Sequence, residues 1–150
     1  MSSHSEVKGR AMLGKLALPA IRELIEARED DTLREVVNRW LPADLAELVD
    51  ALASGERVHV LRLVESKLAA ETFAYLDLET QKSVLAAFTE DESKLVLNEM
   101  APDDRTALLA ALPAQHADRL IDLLDTEQRT IARALLDYPE ESIGRLMTPD

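Results

Sequence analysis

The 150-residue sequence lacks several of the residue types on which common catalytic and metal sites depend. It contains no cysteine, which excludes disulfides, thiolate metal sites and cysteine nucleophiles. Its four glycines form neither a GxGxxG nor a GxxxxGK[ST] phosphate-binding loop, and there is no GxSxG nucleophile elbow. The three histidines lie far apart, with no second histidine at the spacing of metal ligands. These absences predict a protein that is not an enzyme.

Long apolar runs and basic stripes are missing as well. No run approaches the roughly 20 residues that a membrane-spanning helix needs, and the first residues lack the apolar core of a signal peptide, so we expect this chain itself to be soluble. The net charge is -12, and residues 41–150 hold all of the excess, with 22 acidic and 10 basic side chains. Because such a surface repels phosphate backbones, cations or basic proteins are expected partners and nucleic acids are not.

A 24-residue repeat is the main pattern that the sequence does contain. Four blocks follow one another from Leu41 without a gap, and in each the apolar residues recur at i, i+3, i+4 and i+7, followed by a second short helical segment. Since helices of about ten residues are marginal alone, the repeat predicts an all-α solenoid of stacked helix pairs. Three aligned columns are predicted to form the core: Leu52, Leu76, Met100 and Leu124; Val49, Phe73, Leu97 and Ile121; Val64, Phe88, Leu112 and Leu136.

Polar residues and prolines mark the predicted helix starts. Asp77 and Asp125 are predicted N-cap residues, the second in a capping box with Gln128. Ahead of the repeats, Thr32 and Glu35 predict another capping box. Prolines suited to first helical turns are Pro19, Pro42, Pro102 and Pro113. An aligned polar column, each member just after a short break, holds Arg57, Gln81, Arg105 and Arg129.

The two ends of the chain depart from the repeat. Residues 1–14 have no periodic apolar pattern and are expected to be disordered. The helical domain is predicted over residues 15–137. Residues 138–150 contain Pro139, Gly144 and Pro149, which predict an exit linker.

Particular motifs within this pattern are more specific than the repeat itself. The first block contains PADLAEL, the second contains AAE, the third contains PDDRTALLAAL, and the exit segment reads YPEESIGRLMTP. With these motifs, residues 15–150 resemble the N-terminal cytosolic domain of the MgtE family of magnesium transporters. The resemblance implies a right-handed superhelix on the cytoplasmic side of the cell membrane, within a membrane protein, whose linker leads into a CBS domain.

The resemblance also implies a function. In that family, Mg²⁺ held between the helical domain and the CBS domains favours the closed pore. This chain is therefore expected to be a Mg²⁺-sensing regulatory domain of a magnesium transporter or channel. Its expected partners are the CBS domains and the transmembrane pore of the same longer chain, in a homodimer. By itself it is expected to bind Mg²⁺ weakly, because the CBS domain supplies the other ligands.

Two residues match the family's metal ligands. Glu71 corresponds to the glutamate after the paired alanines, and Asp103 to the first aspartate of the DD pair. Ala107 stands where the family often has a further aspartate, so one ligand is missing here. An acidic residue in a first helical turn also has a structural explanation, since it interacts favourably with the helix dipole.

A second interpretation of the sequence has the same fold but no bound ion. Rotor proteins of the flagellar switch build interaction surfaces from similar short helices. The alternative function is therefore an ion-independent protein-protein interaction solenoid. The exit segment YPEESIGRLMTP favours the transporter reading, because it has no known counterpart in the alternative.

Overall fold

The computed structural model describes the backbone of residues 16–140 and the side chains of residues 16–136. That part of the chain contains ten helices and no strand, which confirms the all-α prediction. The helices are α1 Leu18–Glu26, α2 Asp30–Val37, α3 Pro42–Ala51, α4 Ser54–Leu63, α5 Ser66–Tyr75, α6 Leu78–Ala87, α7 Glu90–Glu99, α8 Pro102–Ala111, α9 Ala114–Asp122 and α10 Thr126–Glu140.

The structure describes only part of the two end segments that the sequence analysis separates from the repeat. Residues 1–14, for which disorder is predicted, lie outside the described residues, as do residues 141–150 of the predicted linker. Helix α10 continues to Glu140, so the first three residues assigned to the linker have helical backbone.

The helices follow one another with a period of 12 residues. From α2 to α10 they begin at residues 30, 42, 54, 66, 78, 90, 102, 114 and 126. Each 24-residue block of the sequence therefore contains the starts of two helices, as predicted, and from α3 to α9 these helices have nine or ten residues, whereas α10 has 15. The smallest repeating element of the structure is therefore one helix with the turn that follows it, 12 residues in all.

The six turns between α3 and α9 each consist of two extended residues, whereas the turns before α3 and after α9 are longer and begin with the helical residues Asn38 and Leu123. Leu76 directly follows α5 and has φ -75° and ψ 151°, and Asp77 directly precedes α6 and has φ -73° and ψ 166°. The pair formed by Phe88 and Thr89 has nearly the same angles. A helix that ends on an extended residue needs no left-handed residue after it, which is the position that glycine usually fills. The 12-residue period is thus compatible with a chain that has very few glycines.

Most of the predicted caps are present, with two corrections. Oδ1 of Asp77 accepts a hydrogen bond from the amide of Thr80 at 2.8 Å. Oδ1 of Asp125 likewise accepts one from the amide of Gln128 at 2.9 Å, but Gln128 does not return a bond to Asp125, so the predicted capping box is only half formed. The structure has a full capping box between Thr89 and Glu92 instead.

The predicted start of α2 at Thr32 is wrong. The helix begins at Asp30, which makes Thr32 an interior residue of the first turn, and no side chain caps the helix. The physical reason lies just upstream, where Arg28 adopts a positive φ of 60° and ends α1, so that the chain re-enters helix two residues later. Pro42 and Pro102 occupy first helical positions as predicted, whereas Pro113 is the residue before α9.

The chain divides into two compact units, Met1–Phe88 and Thr89–Asp150. In the first unit α1 packs on α2, and then each helix packs on the next but one: α2 on α4, α3 on α5 and α4 on α6. Val49, Leu52, Phe73 and Leu76 are all buried in this unit. This arrangement is the stacking of helix pairs that the repeat predicts.

The second unit repeats the same packing. Helix α7 packs on α9 and α8 packs on α10. Leu97, Met100, Ile121 and Leu124 are buried, so two of the three predicted core columns are confirmed in both units. In the third column only Val64 is fully buried, whereas Phe88, Leu112 and Leu136 are half-buried. That column lies at the margin of the core, and its prediction as core was too broad.

Candidate functional site

Glu71 lies on the solvent side of α5. Its neighbours Ala69, Ala70 and Phe73 are buried in the first unit, and the carboxylate of Glu71 points away from them into solvent. Glu71 is the sixth of the ten residues of α5, too far from the helix N-terminus to gain much from the helix dipole. The dipole therefore does not account for an acidic residue at this position.

Asp103 lies in the first turn of α8, in the second unit. It follows Pro102, the first residue of the helix, and both Asp103 and Asp104 are exposed. The N-cap residue Ala101 has no side-chain acceptor, so acidic residues in this turn interact with an otherwise uncapped helix start. Ala107, one turn further on, is also exposed and offers no ligand.

Both carboxylates are free to interact with a ligand. No hydrogen bond or ion pair to another described residue engages Glu71 or Asp103. Among the described side chains, no group of three or more Asp, Glu or His residues is arranged to hold a metal ion. Mg²⁺ keeps several of its waters and accepts one or two carboxylates, so each residue fits an open position on a hydrated ion and neither belongs to a closed protein cage.

Arg105 fixes the start of the helix that bears Asp103. Its side chain is fully buried, and Nη1 donates to the backbone carbonyls of Leu97 at 3.1 Å and Met100 at 3.3 Å. Nη2 donates to Oε1 of Gln128 at 2.6 Å. These bonds join the end of α7, the first turn of α8 and the first turn of α10. The backbone of Asp103 is therefore held two residues from a rigid, buried anchor.

The same clamp recurs in every block. The fourth residue of the second helix donates to carbonyl groups at or just after the end of the first helix, where the regular i to i+4 hydrogen bonds stop. Arg57 donates to the carbonyl of Val49 at 2.9 Å, and Gln81 to that of Phe73 at 2.9 Å. Arg129 donates to the carbonyl of Leu124 at 2.9 Å. The polar column found in the sequence thus marks both a helix start and a link between paired helices.

Sequence reasoning missed two asparagines that make a second kind of link. Nδ2 of Asn38 donates to the carbonyl of Leu63 at 2.9 Å, and its Oδ1 accepts from the amide of Glu65 at 2.8 Å. Asn98 makes the equivalent pair of bonds to Leu123 and Asp125. The two asparagines lie five 12-residue periods apart, so alignment at 12 residues rather than 24 would have revealed them.

Among the described residues, two side chains have shifted pKa values. The pKa of Asp77 is lowered, chiefly because the Thr80 amide donates to its carboxylate. Burial lowers the pKa of the Arg105 guanidinium, and the negative charge of Asp125 opposes that effect. Both groups belong to the helix caps and clamps, and neither is a proposed metal ligand.

Comparison with known proteins decides the family. The model of the MgtE intracellular N domain matches residues 40–141. The magnesium transporter MgtE of Thermus thermophilus is 34% identical over 139 residues, which are 91% of this chain and 31% of the transporter. The chain belongs to the MgtE intracellular N-domain family. The family resemblance seen in the sequence is thereby confirmed, and this relative is a transporter, in agreement with the prediction of a non-enzymatic domain.

Two further similarities agree with this assignment. The magnesium transporter MgtE of Bacillus subtilis is 24% identical over 115 residues, 77% of this chain and 26% of that protein. The crystal structure of the cytosolic domain of the Mg²⁺ channel MgtE in complex with ATP matches with a TM-score of 0.74 and 31% identity, over 82% of this chain and 51% of that one. The chain therefore spans about a third or less of the curated relatives, and none of the helices within residues 16–140 has the length and apolarity required to cross a membrane.

Proposed function

We propose that this MgtE N domain is the Mg²⁺-sensing regulatory part of a longer magnesium transporter or channel. Mg²⁺ ions are held between its surface and CBS domains of the same longer chain, and the arrangement that holds them has a closed pore. Glu71 and Asp103 are the ligands that this chain contributes. The observation that carries the proposal is that both residues are exposed carboxylates without a partner among the described residues.

The proposed mechanism is a shift of population between two arrangements. Residues 41–150 hold 22 acidic and 10 basic side chains, so an approaching acidic surface is repelled when no cation is present. An ion that binds better to the associated arrangement than to the separated one raises the population of the associated one. When Mg²⁺ is plentiful on the cytoplasmic side, the domain associates with the CBS domains and the pore closes.

The proposal places the domain on the cytoplasmic side of the membrane, as part of a homodimeric membrane protein. It is supported by the description of the family as intracellular and by the names of the relatives, which are magnesium transporters. Since this chain supplies only carboxylates on its own surface, the remaining oxygen ligands come from the CBS domain and from water.

The 150-residue chain itself offers a first test. In an NMR titration at constant ionic strength, Mg²⁺ should shift the amides around Glu71 and Asp103 with a dissociation constant of about millimolar order or weaker, because half a site binds a hydrated ion weakly. Added salt should weaken binding further through screening. Each shift should disappear in the matching variant, Glu71→Ala or Asp103→Ala.

Asp104→Ala is the matched control, because it removes an equal charge next to Asp103 without removing a proposed ligand. It should leave both sets of shifts in place. Shifts spread evenly over all exposed acidic residues, and reduced equally by all three variants, would show that Mg²⁺ only screens the acidic surface.

A further inference from the structure

The second unit contains a groove whose lining includes neither of the proposed ligands. It runs along α7 beside the start of α10 and has a volume of about 390 Å³. Its lining residues are Asp91, Lys94, Leu95, Asn98, Glu99 and Asp125. These residues are a different set from the proposed magnesium ligands Glu71 and Asp103.

Leu95 is the unusual residue of this groove. It is 58% exposed, although the neighbouring residues Val96 and Leu97 are buried and already supply the core face of α7. The same repeat position in the other three blocks, 24 residues apart, holds the charged residues Glu47, Glu71 and Arg119. A leucine in place of a charged residue adds nothing to the core here, whereas an exposed apolar side chain inside a groove is suited to contact a partner.

The charges around Leu95 limit which partner fits. Asp91, Glu99 and Asp125 contribute three carboxylates to the groove, against the single ammonium group of Lys94. The side of the groove next to α10 is held in place, because Asn98 accepts from the amide of Asp125 and the Asp125 carboxylate accepts from the amide of Gln128. A preformed, net acidic groove with an apolar centre favours a partner of opposite charge.

We propose that this groove docks a basic amphipathic segment of a partner protein. An aliphatic side chain of that segment packs on Leu95, and lysine or arginine residues on either side of it pair with Asp91, Glu99 and Asp125. The apolar contact at the centre supplies most of the affinity, and the surrounding charges determine the orientation and exclude acidic partners.

The test uses the isotopically labelled 150-residue chain and a blocked helical peptide with leucines four residues apart and lysines at the neighbouring positions. The peptide should perturb the amides of α7 and of Asp125, and Leu95→Ser should weaken its binding about tenfold or more. Because Leu95 is exposed, this variant should keep the helical content of the wild type. Leu41→Ser removes another exposed leucine, in the first unit, and should bind the peptide as the wild type does.

Two further peptides separate the apolar contribution to binding from the contribution of the charges. Replacing the leucines by serine should abolish the perturbation of α7, whereas replacing the lysines by glutamine should weaken it without abolishing it. The proposal is overturned if the serine peptide binds as well as the first one, which would mean general attraction to an acidic surface, or if no peptide perturbs α7 at millimolar concentration. It is also overturned if sedimentation shows self-association of the chain that Leu95→Ser removes, since the groove would then bind a second copy.

Discussion

Nη2 of Arg105 and Oε1 of Gln128 lie 2.6 Å apart, and this hydrogen bond links α8 to α10 within the second unit. Gln128 is the residue that the sequence assigns to a capping box with Asp125, and the bond to Arg105 uses its side chain instead. Among the described side chains, no carboxylate lies at hydrogen-bond distance from the buried guanidinium. Its other acceptors are the carbonyls of Leu97 and Met100 at the end of α7, where the helix dipole is negative.

Replacement of Arg105 should therefore destabilise the chain more than replacement of its counterpart in the first block. Arg105→Ala removes a buried side chain and leaves buried acceptors without a donor, which should lower the free energy of unfolding by about 3 kcal/mol or more. Arg57 makes similar bonds to Val49 and Asp50 but is only half-buried, so Arg57→Ala should cost about 1 kcal/mol. Urea denaturation measures both. Equal losses would mean that burial of the clamp has no energetic consequence.

The core columns make a second prediction. Leu76 and Met100 are each 4% exposed and occupy equivalent positions in two blocks. Leu76→Ala and Met100→Ala should each lower the free energy of unfolding by about 2–5 kcal/mol, because each leaves a cavity between stacked helices. Tyr75→Ala, beside Leu76 in the sequence but 63% exposed, is the control and should change stability little. A negligible effect at both core positions would contradict the stacking of helix pairs.

The N-cap of α6 predicts that the stability of the fold depends on pH. The folded-state pKa of Asp77 is lowered, so its contribution to stability is fully present above the ordinary aspartate pKa and is lost as the pH falls through the lower folded value. The difference in urea midpoint between the wild type and Asp77→Ala should therefore be largest near neutral pH and should shrink below about pH 4.

Thr89→Ala is the control for that measurement, because the Thr89 hydroxyl also accepts at a helix start, from the amide of Glu92, but does not titrate. Its destabilising effect should vary less with pH. If the effect of Asp77→Ala stays constant down to pH 2, the carboxylate charge is not what stabilises the cap.

The fold was largely predictable because its signals are local and repeated. The spacing of leucines indicates helices, and the columns containing Leu52 and Val49 indicate which faces are buried. The 12-residue period was harder to recognise, because the two helices of each block differ in their residues. Leu76 directly follows one helix and Phe88 directly follows the next, yet only Leu76 is fully buried. The hydrogen bond between Asn38 and Glu65 joins residues 27 positions apart, and the composition of the sequence does not reveal such contacts.

The candidate site was less predictable than the fold. An exposed carboxylate leaves no trace in hydrophobic periodicity, so Glu71 and Asp103 were chosen by family resemblance alone. The structure adds that Glu71 is mid-helix and that both residues are exposed. The groove at Leu95 was missed altogether. Comparison of repeat positions could have found it, because Leu95 aligns with Glu71 in the block before it.

The most direct test of the account is a Mg²⁺ titration of protease protection in the full-length transporter to which this domain belongs. Bound Mg²⁺ should protect the associated, closed arrangement, and neutralising a ligand should raise the Mg²⁺ concentration at half-protection. Glu71→Ala and Asp103→Ala should each shift that midpoint upward while the fold stays intact, and Asp104→Ala should leave it unchanged. If the wild type and both ligand variants share one midpoint, Glu71 and Asp103 are not ligands of the sensor, and an ion-independent interaction domain becomes the better description.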